Sequence, residues 1–75
     1  MTTLAQLTIG MSAIIKSFTD VDTSLKLMEM GCVPGETITI SNIAPMGDPI
    51  AINISGYQLS LRKNEAAKVI VTPIS

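Results

Sequence analysis

A chain of 75 residues with a net charge of −1 and 47% apolar side chains suits one small domain, residues 1–75, with an aliphatic core, since it has one Phe, one Tyr and no Trp. Five scattered cations against six carboxylates are a poor match for a phosphate backbone, and two aromatics are too few for base stacking, which argues against nucleic acid as a partner. The absence of histidine removes the commonest metal ligand and the usual neutral-pH acid–base group, a lone cysteine cannot form an internal disulfide, and no apolar run reaches the ~18–20 residues of a membrane helix.

Residues 1–8 read as an extended lead-in lying over the domain and ending in a turn at Ile9-Gly10. Residues 11–18 form the first long strand, with Met11, Ala13 and Ile15 on one face and Ile14 and Phe18 on the other. A strand apolar on both faces is central. A helix is expected over residues 23–30, capped by Asp22, with Leu25, Leu27 and Met28 on one buried arc. Lys26 and Glu29 face the other way as an i,i+3 opposite-charge pair, and Met30 sits on the border. Gly31 stops the helix in a left-handed conformation, after which Cys32 reaches back to Leu27. Val33-Pro34-Gly35-Glu36 carries the proline and glycine of a type II turn.

Residues 37–41 then alternate polar and β-branched apolar side chains, and Asn42 delays Ile43 by one position, which predicts a β-bulge near Ser41 and Asn42. Two prolines, a glycine and an aspartate in residues 44–49 fit a hairpin loop. Ile50, Ile52 and Ile54 mark a third strand, Ser55-Gly56 a two-residue turn, and Tyr57, Leu59 and Leu61 a fourth. Residues 62–67 suffice for one or two helical turns, and residues 68–72 give a fifth strand with Val69 and Val71 inward. The fold class is mainly β: a small five-stranded antiparallel SH3-like barrel, closed on itself, with one short α-helix between strands 1 and 2 and a helical turn before strand 5.

Little in this chain suggests catalysis. Cys32 has no basic neighbour in sequence beyond Lys26 on the opposite helical face and follows a helix C-terminus, the end of the dipole that disfavours a thiolate, so it reads as core. Asp20, Asp22 and Glu29 are explained by capping and solvation without a metal. Arg62 and Lys63 read as a solvated bend. No catalytic residue, cofactor or metal ligand is expected, and the protein is not an enzyme. Among five methionines, Met30 borders the polar helix face and Met46 sits at a loop tip, so with Lys26 they are the candidate partner contact.

Three stretches together resemble the FeoA family: Leu27-Met28-Glu29-Met30-Gly31-Cys32-Val33-Pro34-Gly35, then Ala44-Pro45-Met46-Gly47-Asp48-Pro49-Ile50, then Leu59-Ser60-Leu61-Arg62-Lys63-Asn64-Glu65-Ala66. Cys32 departs from the aliphatic residue usual there. The resemblance implies a cytoplasmic accessory protein of bacterial ferrous iron uptake that acts with FeoB, a membrane transporter with a cytoplasmic GTPase region, at the inner face of the membrane. The lack of a leader-like N-terminus fits the same compartment. The barrel is also similar to the C-terminal domain of iron-dependent repressors, so a metal-responsive regulator binding ferrous iron stands as the alternative. Its weakness is the ligand set of no histidine and one cysteine. The oligomeric state is left open.

Overall fold

The computed structural model describes residues 1–74. Its strands are β1 (Thr2–Thr3), β2 (Ser12–Phe18), β3 (Thr37–Ile43), β4 (Ile50–Ile54), β5 (Tyr57–Leu61) and β6 (Val69–Pro73), with α1 (Val21–Glu29) after β2 and α2 (Lys63–Ala66) before β6. All pair antiparallel in one sheet of order β1-β6-β2-β3-β4-β5. β2 is central, as its two apolar faces require, and the mainly β SH3-like class predicted from the sequence is the one observed.

The period-two pattern lands where expected. Ile38 and Ile40 of β3 and Ile50, Ile52 and Ile54 of β4 are buried together with Ala13, Ile15, Leu61, Val69 and Val71. The β3–β4 register shifts between Ile40 and Asn42, which is the predicted bulge. A second shift lies in β2 between Ile15 and Ser17 and turns Lys16 outward. Ser55 and Gly56 have φ of 51° and 84°, and both positive values are what a two-residue turn matched to strand twist demands.

Several expectations need correction. The lead-in is not merely extended: Thr2 and Thr3 pair with Val71 and Ile70, and Leu4–Gln6 form a 3₁₀ turn that buries Leu4, so the sheet has six strands. The ladder ends at β1 and β5 among the described residues. The 3₁₀ turn after β1 packs on α2, which follows β5, so helical turns close the coil and not a strand pair. Tyr57 does not continue the inward pattern of Leu61; it is 43% exposed and uses its hydroxyl instead.

Two further corrections concern α1. Its cap is Asp20, whose Oδ2 accepts the Thr23 N–H at 3.0 Å, and Asp22 lies inside the first turn. Either aspartate has the right chemistry, but starting at Val21 puts Thr23 and Leu27, four residues apart, on the sheet side where both are buried. The helix ends as predicted. Cys32 N–H bonds the Leu27 carbonyl at 2.9 Å and Gly31 N–H the Met28 carbonyl at 3.1 Å, with Gly31 at φ 101°. Cys32 and Leu27 join the same core cluster. The predicted buried arc does not hold, because α1 packs on β2 along a narrow face: Leu25 is 56% exposed and Met28 37%.

Candidate functional site

Lys26 and the loop that carries Met46 are both tied to α2, while Met30 is turned to the core and to Tyr57. Arg62 caps this short helix with its backbone, its N–H bonding Glu65 Oε1 at 2.9 Å. The other oxygen of Glu65 takes the Lys26 ammonium, which ties α1 to α2 and replaces the predicted Lys26–Glu29 pair. On the other side the Lys63 N–H bonds Asp48 Oδ1 at 3.0 Å, holding the 44–49 loop against the same helix. Met46 stands at that loop's tip, 90% exposed. Met30 differs. It is half-buried against the core, and its carbonyl accepts the Tyr57 hydroxyl at 2.9 Å.

Two carboxylates have shifted acidity. The Lys26 hydrogen bond, followed by the Arg62 N–H, holds Glu65 below its ordinary value. Asp20 is likewise lowered, chiefly by the Thr23 N–H and then by Lys68, 3.7 Å away. Burial pushes the Cys32 thiol up, the opposite of what a nucleophile or thiolate ligand needs. Among the described residues no three of His, Cys, Asp and Glu gather as a metal-binding group. No helix among them is long and apolar enough to cross a membrane.

A feature missed from the sequence lies on α1. Val21, Leu25 and Met28 fall at i, i+4 and i+7 and share an arc of about 60°, turned roughly 140° away from Thr23 and Leu27. Val21 is 71% exposed. Between this stripe, the end of β2 and the Pro34 turn runs an open groove of about 340 Å³, lined by Lys16, Phe18, Asp20, Val21, Ser24, Met28 and Pro34 among others. The signal was present as periodicity, but periodicity alone does not say which of two apolar arcs meets the sheet.

Comparison with known proteins gives the family. The chain matches the FeoA domain over residues 2–73. Over 50 residues it is 46% identical to an Fe(2+) transport protein A/Fe(2+) transporter FeoB fusion protein of Porphyromonas gingivalis, covering 67% of this chain but only 6% of that one. A FeoA-like protein from Clostridium acetobutylicum superposes with a TM-score of 0.90 at 38% identity, covering 100% of this chain and 92% of that one. FeoA of Stenotrophomonas maltophilia, solved with zinc and described as a prokaryotic SH3 domain protein, gives 0.81 at 29% identity over 95% and 89% of the two chains. With the same order of strands and turns behind these matches, the chain belongs to the FeoA domain family.

Proposed function

We propose that this protein is a cytoplasmic, non-catalytic accessory of bacterial ferrous iron uptake that regulates a FeoB-type transporter by binding its cytoplasmic GTPase region. The observation that carries this is the relative in which an FeoA sequence and FeoB form one polypeptide. Fusion supplies a high effective concentration, which is useful when the two parts act together and their intrinsic affinity is modest. The structure is in keeping with such a role: a small barrel whose polar side chains serve capping and bracing, with apolar side chains left outside. Of the Lys26, Met30 and Met46 contact expected from sequence, Lys26 and Met46 offer exposed side chains beside α2, and Met30 is half-buried against the core.

The alternative of a ferrous iron regulator has less behind it, since the single thiol is buried with its pKa raised, which disfavours the thiolate, and the carboxylates lie apart. The test is capture of the detergent-solubilised transporter by the immobilised protein, with and without guanine nucleotide, together with GTP hydrolysis rates. Nucleotide-sensitive capture and a changed rate are expected. No capture in any nucleotide state sinks the proposal.

A further inference from the structure

The apolar stripe of α1 has charged borders that specify what would cover it. Asp22 and Glu29, seven residues apart, form a line directly beside Val21, Leu25 and Met28, and neither carboxylate has an ion-pair or hydrogen-bond partner among the described residues. The next position round, Lys26, is already held by Glu65. Across the groove the rim carries Lys16, also unpaired among the described residues, while Asp20, which lines it too, is engaged by Lys68. The surface is thus an apolar strip with two free negative charges along one side and one free positive charge along the other.

We infer that this strip is the principal docking site for the transporter, and that its occupant is an amphipathic helical segment of the cytoplasmic region. That segment presents an apolar ridge flanked by lysines or arginines on the side that meets Asp22 and Glu29. This rests on the function proposed above and names its anchor. Aliphatic side chains on the solvent side of a helix supply the desolvated centre of a contact, and the charges around it set orientation and encounter rate. The same strip does not suit an anionic lipid surface, which the two carboxylates repel. Met46, isolated on its loop, offers no comparable strip.

The experiment measures binding of the full chain to the detergent-solubilised transporter by calorimetry, at low and high salt. Leu25→Ser with Met28→Ser should weaken binding roughly tenfold or more, and Asp22→Lys with Glu29→Lys should weaken it and invert its salt dependence, since salt then screens a repulsion. Both variants should melt like wild type, because all four side chains are exposed. A parallel arm uses phosphatidylethanolamine–phosphatidylglycerol vesicles. If the wild type binds the transporter and the variants bind it equally well, the docking site is overturned and the function stands. If the wild type does not bind, both fall. If the variants lose vesicle binding while keeping the transporter, the strip is a lipid contact and the inference is overturned.

Discussion

Replacing Gly31 by alanine should be far more damaging than its place on the surface suggests. The residue has φ 101°, which costs a side-chain-bearing residue roughly 1–2 kcal/mol. A Cβ there would stand 1.8 Å from the Tyr57 hydroxyl oxygen and 3.1 Å from the ring carbon that bears it. The ring is rigid, so it must swing away as a unit and give up its 2.9 Å hydrogen bond to the Met30 carbonyl. An exposed neutral bond of this kind contributes about 0.5–1 kcal/mol. The total is about 1.5–3 kcal/mol, which in a domain of this size lowers Tm by roughly 6–24 °C. Thermal unfolding followed by far-ultraviolet circular dichroism measures it. Tyr57→Leu separates the two contributions, since alanine then meets no ring and only the backbone cost remains, leaving a coupling of about 1 kcal/mol in the double-mutant cycle. The reasoning is refuted if Gly31→Ala costs the same in both backgrounds, or if it melts within about two degrees of wild type.

Glu65 should contribute to acid sensitivity: its lowered folded pKa adds stability above the unfolded value of about 4.3, lost as pH falls through the folded value, so Glu65→Gln should flatten the acid limb of urea midpoint against pH. Asp20→Ala should shift the thermal midpoint down by removing the cap on Thr23, whereas Asp20→Asn, which keeps an acceptor oxygen, should recover most of the loss. Met46→Glu should leave the melting curve unchanged, while Met30→Glu, at a half-buried position against the core, should lower it. Cys32 should react with a thiol-directed disulfide reagent only as fast as the fold opens, because the thiol is buried and its thiolate disfavoured; immediate labelling of the native protein would contradict its place in the core.

The strands were legible because their signals are local. Ile50, Ile52 and Ile54 alternate without ambiguity, and Val33-Pro34-Gly35-Glu36 and Ser55-Gly56 state their turns in backbone chemistry that few other residues satisfy. The N-terminal lead-in was not legible, since a two-residue strand at Thr2–Thr3 exists only because β6 offers an edge. Lys26 shows the same limit in a charge pair: Glu29 is close in sequence, yet Glu65, 39 residues on, wins once α2 docks beside α1. Two capping aspartates stood two residues apart, and which one started the helix depended on the face that β2 could receive. The same contact decided that Leu25 and Met28 stay outside, so the residues assigned to the core became the surface proposed to bind a partner.

The clasp between Tyr57 and the Met30 carbonyl has an optical consequence. With one tyrosine and no tryptophan in the chain, near-ultraviolet absorption and emission come almost wholly from this ring, with Phe18 a weak background. The ring is fastened to the last turn of the helix whose outer side carries Val21, Leu25 and Met28. A ligand that tilts α1 changes the hydrogen bonding of the phenol and so the yield of its emission. One that settles on a stationary helix leaves the phenol signal as it was. The protein therefore reports, without any label, whether its helix moves when something binds.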